Sequence, residues 1–186
     1  HPRAHAKLVG ITDPHRQRRP SPCIHHPMCC GCPLIELEAP AQRELKRLRA
    51  ARQLGVEIGP LVHHQDQEFG YRHSSKRVVF GETGKLWLGS YRRGSHRGAG
   101  MRTCLVDHPR IVEAAEELAA AARRLRVVPY EEKTGEGDLR YVWLRTDGER
   151  VVVTLVTASS TSRAADLLPD ELEKISAIAW SVYPGK

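Results

Sequence analysis

The chain has 186 residues, 40% of them apolar and 5% aromatic, with 29 Lys and Arg against 22 Asp and Glu for a net charge of +7. That is enough apolar material for one domain, or one and a half, with a real core. No apolar run approaches the roughly 18 residues of a membrane span, so no membrane partner is expected. The basic excess makes a polyanion the default partner, through counterion release from phosphates, with a solvated basic surface as the plain alternative.

In chain order, residues 6–11 form a strand-like apolar run, and residues 13–22 are basic and proline-rich and read as an extended linker. A cysteine-rich loop follows. Residues 41–54 read as a helix with Pro40 in its first turn, Leu45 and Leu48 on one face, arginines around the rest and Gly55 closing it. Residues 71–80 and 85–91 are strand candidates joined by the turn Gly81-Glu82-Thr83-Gly84. Residues 92–102 are rich in glycine and arginine and should form a loop or an irregular strand that delivers Cys104.

Residues 109–126 carry a clear helical stripe (Ile111, Val112, Ala115, Leu118, Ala119, Ala122, Leu125), capped by Asp107 or His108. Residues 139–145 and 150–157 flank an Asp147-Gly148 hairpin turn. Residues 162–172 look helical with a break at Pro169, and 175–182 return as a strand. Trp87, Trp143 and Trp180 fall in strands and are expected in the core. The pattern predicts an α+β fold, an antiparallel or mixed sheet with helices on one face, preceded by the cysteine-rich loop.

Four of the five cysteines, Cys23, Cys29, Cys30 and Cys32, lie within ten residues, and Cys104 stands alone. Such crowding suits a metal centre in a reduced protein better than a disulfide framework, and no secretory leader opens the sequence, so a cytoplasmic location is expected. Three thiolates from one loop and one remote thiolate can hold an iron–sulfur cluster, which normally takes four Cys ligands. Zinc is the competing reading: the Cys29-x-x-Cys32 pair with Cys23 and with His25, His26 or Cys104 would also complete a tetrahedral site.

Residues 22–32 resemble the iron–sulfur motif of the bacterial ribosomal RNA (uracil-C5) methyltransferases, relatives of the tRNA uracil-C5 methyltransferase. The resemblance extends along nearly the whole chain. Residues 4–11 are similar to the last strand of that family's TRAM barrel. Tyr71-Arg72-His73-Ser74-Ser75-Lys76 resembles its Tyr-Arg-rich strand, Leu88 to His96 followed by Cys104 resembles the segment bearing the fourth ligand, and residues 139–157 resemble the hairpin of its central domain.

The resemblance implies a four-iron four-sulfur (4Fe-4S) cluster on Cys23, Cys29, Cys32 and Cys104. Cys30 stands where the family has glycine, as a spare thiol or an alternative to Cys29. It also implies a division into residues 1–12 (truncated barrel), 13–38 (linker and cluster loop) and 39–186 (central domain). The S-adenosylmethionine domain, with its nucleophilic Cys and general base, would lie beyond them, and no Gly-rich methyl-donor loop is found in this sequence. The chain alone is expected to lack methyltransferase activity.

Tyr71, Arg72, Lys76, Arg77, Arg92, Arg93 and His96 are the candidate RNA contacts, cations for phosphates and rings for splayed bases. Ribosomal RNA is the expected partner and a monomer the expected state. Two other classes fit parts of the pattern: a stand-alone zinc- or cluster-stapled RNA-binding module, and a redox protein, which leaves the basic strands unexplained.

Overall fold

The computed structural model describes residues 8–62 and 68–184. The chain divides into two compact units, one made of His1–Pro22 and Pro33–His63, the other of Cys23–Cys32 and His64–Lys186.

In the first unit, helix α1 (Ala39–Leu54) carries Pro40 in its first turn and ends on Gly55, whose φ of 69° closes the helix with its N–H on the Ala51 carbonyl at 2.9 Å. Leu45 and Leu48 of the expected face are exposed, and Ala41 is the buried residue of this helix. Ala41 shares the Leu45–Leu48 face, so only the first turn of that face is buried; Gln42 donates to the Leu37 carbonyl at 2.9 Å and Arg47 to the Ile58 carbonyl at 2.8 Å. Ahead of the helix, Arg18 bridges to Leu37 and pairs with Glu36. Of the strand-like run at 6–11, Ala6 and Lys7 lie outside the described residues, and residues 8–11 pair with no strand among the described residues. An extended run gains its ladder only where another strand lies beside it.

The second unit is a six-stranded mixed sheet built from β1 (Ser74–Phe80), β2 (Trp87–Tyr91), β3 (Gly98–Gly100), β4 (Leu139–Thr146), β5 (Val151–Thr157) and β6 (Ala177–Val182). The strand order is β3-β2-β1-β4-β5-β6, antiparallel throughout except for the β5–β6 pair, which is parallel. Helices α2 (Pro109–Arg124) and α3 (Arg163–Leu167) supply the cover, α2 against β2, β4 and β5 and α3 against β5. Strand β3 lies inside the glycine-rich segment expected as loop or irregular strand.

Alternation sets the faces. Val79, Leu88, Val142, Leu144, Val153 and Leu155 point inward with Ile111, Leu118 and Ala122 of α2 to form the core. Full burial of one such Leu stabilises by roughly 1.5–3 kcal/mol. The His108 ring caps α2 by accepting from the Arg110 N–H at 3.3 Å. At the β4–β5 turn, Asp147 Oδ1 accepts from the backbone of Glu149 and Arg150 at 2.9 and 2.7 Å, and Gly148 takes a φ of 107°.

None of the three tryptophans joins the buried core expected for them. Trp143, 39% exposed, lies between inward Val142 and Leu144 and so points to the uncovered face; Trp180, 47% exposed, sits on edge strand β6. Trp87 stacks on Phe80, ring centroids 4.7 Å apart, over the small residues Gly89 and Gly98.

Candidate metal centre and nucleic-acid interface

The loop Cys23–Cys32 and the segment carrying Cys104 belong to the same unit. Backbone pairing holds the second segment in place: Gly70 and Arg72 donate to the carbonyls of Leu105 and Val106, both at 2.8 Å, and His108 donates to the Arg72 carbonyl at 2.9 Å. From the cysteine loop, His25 Nε2 accepts from the Thr103 N–H at 3.4 Å.

Cys23, Cys29 and Cys104 each lie within electrostatic reach of the Cys32 thiol. Burial pushes the Cys32 thiol up, the Arg72 guanidinium opposes this, and Cys104, Cys29 and Cys23 each push it further. Burial also raises the Cys104 thiol, with the Asp107 carboxylate adding to it. The backbone N–H groups of Val106 and Asp107, hydrogen-bonded to the Cys104 sulfur, and the nearby Arg77 pull it back. Cys30 takes a different course: it is exposed and its Sγ–H donates to the Tyr91 carbonyl at 3.3 Å. Among the described residues, no three His, Cys, Asp or Glu side chains are grouped to hold a metal ion as they stand.

Behind this region sits a buried charge pair. Asp107 Oδ2 accepts from Arg77 and from the Ser75 hydroxyl, both at 2.8 Å, Arg77 also donates to the Met101 carbonyl at 3.0 Å, and Arg72 stands 3.8 Å from Asp107 Oδ1. Arg77 is 1% exposed, and this corrects its assignment as an RNA contact: it points inward on β1 and is committed to Asp107. Arg72 is half-buried beside the same carboxylate.

The remaining expected RNA contacts are spread over the sheet. Tyr71 and Arg93 are exposed, Arg92 is partly held by the Gly98 carbonyl at 2.8 Å, and Lys76 rests 4.2 Å above the Tyr141 ring. His96, 86% exposed, meets Glu132 Oε2 at 3.0 Å. The outer sheet face also presents residues that the sequence reading passed over. Arg145 lies 3.7 Å above the Trp143 ring, and Trp143 Nε1 donates to Ser74 Oγ at 2.8 Å. Tyr141, Trp143 and Arg145 recur every second residue on β4, and that alternation of ring and cation was the available signal.

No family model matches the chain. A protein named as an uncharacterized RNA methyltransferase of Listeria monocytogenes is 27% identical over 192 residues, 97% of this chain and 42% of the relative. One of the same description from Geobacter sulfurreducens is 33% identical over 148 residues, 76% of this chain and 30% of the relative. Its homologues are thus named RNA methyltransferases, and the chain spans less than half the length of these relatives.

The crystal structure of a Pyrococcus abyssi tRNA (uracil-54, C5)-methyltransferase in complex with S-adenosyl-L-homocysteine superposes with a TM-score of 0.68 at 27% identity, covering 85% of this chain and 37% of that one.

Proposed function

We propose that this chain is the cluster-bearing and RNA-contacting part of an S-adenosylmethionine-dependent RNA (uracil-C5) methyltransferase. Similarity to RNA methyltransferases over 97% of the chain supports the class, and the solved tRNA (uracil-54, C5)-methyltransferase supports the base and the methyl donor. What supports the cluster is the four-cysteine motif together with the electrostatic influence of Cys104, Cys29 and Cys23 on the Cys32 thiol.

The donor set fits a 4Fe-4S group. Four sulfurs are available, two backbone N–H groups already address the Cys104 sulfur, and Arg72 and Arg77 offset negative charge. A cubane spreads its ligands over separate iron corners, so its thiolates stand further apart than around a single ion. Cys23, Cys29, Cys32 and Cys104 would hold the cluster, while Cys30, turned to the Tyr91 carbonyl, is the spare thiol. Bound there, the cluster supplies a cross-link between the cysteine loop and the strand-flanking segment, and with it folding free energy. Tyr71, Lys76, Arg92, Arg93 and His96 remain the RNA contacts, with ribosomal RNA as the proposed partner.

Anaerobic purification followed by iron, sulfide and zinc analysis tests the cluster. A brown protein containing iron and acid-labile sulfide, lost in Cys104→Ser and kept in Cys30→Ser, is expected. A colourless zinc-loaded protein would overturn the assignment.

A further inference from the structure

The outer sheet face carries a cavity of about 1000 Å³ beside β1, β2 and β4, walled by the rings of Phe80, Tyr91, Tyr130 and Tyr141. Glu132, from the loop ahead of β4, stands in it. Its Oε1 accepts from the Tyr91 hydroxyl at 2.8 Å and the Tyr141 hydroxyl at 2.9 Å, while its Oε2 meets only the exposed His96 ring among the contacts described. Burial pushes the Glu132 carboxyl up, but the hydrogen bonds from Tyr91, Tyr141 and His96 outweigh this and hold it below the usual carboxylate value. The group is therefore an ionised acceptor, fixed on one oxygen and approachable on the other.

A cation stands beside it. A β-bulge between Leu139 and Tyr141 puts Arg140 on the same side as Tyr141. Arg140 is 7% exposed, lies 4.2 Å over the Tyr130 ring, and places NH2 3.7 Å from Glu132 Oε1. Its NH1 donates to the Tyr183 carbonyl at 2.8 Å, whereas its Nε has no hydrogen-bond partner among the described residues. A buried donor without an acceptor costs about 1–3 kcal/mol.

We propose that this cavity binds an unpaired guanine of the RNA, its N1–H and N2 amino group donating to Glu132, its O6 facing Arg140, and its ring stacked on the tyrosine walls. This rests on the RNA reading above and concerns a base other than the uracil that is methylated. Guanine alone among the four bases sets two adjacent donors next to a carbonyl on one edge. Adenine and cytosine would turn a ring-nitrogen lone pair toward the carboxylate, and uracil offers it a single donor between two carbonyls. Arg97 and Lys133, which also line the cavity, suit the flanking phosphates.

The test uses the 186-residue chain and short single-stranded RNAs that differ only in one guanosine, replaced by inosine (which lacks the N2 amino group) or adenosine. Inosine is expected to weaken binding about tenfold, equivalent to about 1.4 kcal/mol, and Glu132→Gln to abolish the difference while retaining phosphate-driven affinity. Equal affinity for the guanosine and inosine RNAs would overturn the pocket and leave the RNA reading intact. Guanosine monophosphate, followed by NMR of the tyrosine rings with inosine monophosphate as control, separates the two claims. Selective shifts without any RNA binding would uphold the pocket and sink the RNA reading, and no selectivity in either assay would overturn the pocket.

Discussion

Removing Asp107 is the most demanding perturbation for this fold, because it strands a buried cation. Asp107→Ala takes away the acceptor of both Arg77 and Ser75 and leaves the guanidinium, 1% exposed, with the Met101 carbonyl as its remaining hydrogen-bonded partner. The Arg77 Nε already has none. Breaking a buried pair from one side costs about 3–5 kcal/mol, a large part of the 5–15 kcal/mol that typically holds a domain together. Arg77→Met should cost less, about 1.5–3 kcal/mol for the lost charged hydrogen bond. Asp107 then keeps the Ser75 hydroxyl at 2.8 Å and Arg72 at 3.8 Å. The double variant Arg77→Met with Asp107→Leu should recover to within about 1–2 kcal/mol of the parent, since apolar replacement of a whole buried pair is often near neutral. Urea unfolding followed by tryptophan fluorescence, all variants at matched metal content, measures the three values. A cost below about 1 kcal/mol for Asp107→Ala, or a double variant no more stable than it, would refute the reasoning.

The glycines under Trp87 give a paired prediction: a Cβ at Gly98 would stand 2.2 Å from that ring and one at Gly89 2.2 Å from the Ala99 carbonyl oxygen, whereas Gly100 faces open space. Gly98→Ala and Gly89→Ala should each lose about 1–3 kcal/mol, and Gly100→Ala should stay within about 0.5 kcal/mol of the parent by the same urea assay. The Glu132 carboxyl, held below its unfolded value, contributes stability that is complete above the unfolded pKa and is lost as pH falls through the lower folded one. Thermal unfolding between about pH 6 and pH 3, a window bracketing the ordinary glutamate pKa near 4.3, should therefore fall less steeply in Glu132→Gln; identical slopes would contradict this.

Features set by local chemistry were legible before the structure. The Asp147-Gly148 turn, Pro109 at the start of α2 and Gly55 after α1 each act through their own backbone and side chains, and each sits where its residue type predicts. The departures depend on what lies across space. Leu45 and Leu48 look like a core face, but Ala41 is the buried residue of that face and the two leucines beyond it are exposed. Arg77 looks like one of several exposed strand arginines, yet its alternation with Val79 turns it inward, where the sequence gives no hint that Asp107, thirty positions on, supplies the counter-charge. The bulge at Arg140 reverses one side chain without a glycine or proline to announce it, and Glu132 gains its partners only when β2 and β4 lie on either side of β1. The cysteine crowding was legible from spacing and the set of four from the family resemblance, whereas the place of the Cys104 segment follows from the pairing of residues 70–72 with 105–107, which no spacing rule contains.

That pairing explains why the arginines and the thiols share one region. Arg72 and Asp107 face each other in an isolated parallel bridge, so the backbone contact that fixes the Cys104 segment also sets Arg72 near Cys32 and Asp107 beside Cys104. Burial raises the Cys104 thiol and Asp107 adds to it, working against a thiolate; Arg77, bound to the same carboxylate, works for one. Half-buried Arg72, 3.8 Å from the same carboxylate, is the cation that lowers the Cys32 thiol. If those sulfurs hold a cluster, its negative charge falls beside a cation that the fold had to place there anyway. Arg72→Gln would then weaken retention of the cluster under chelator while leaving unfolding of the metal-free chain nearly unchanged, whereas Asp107→Ala would lower both.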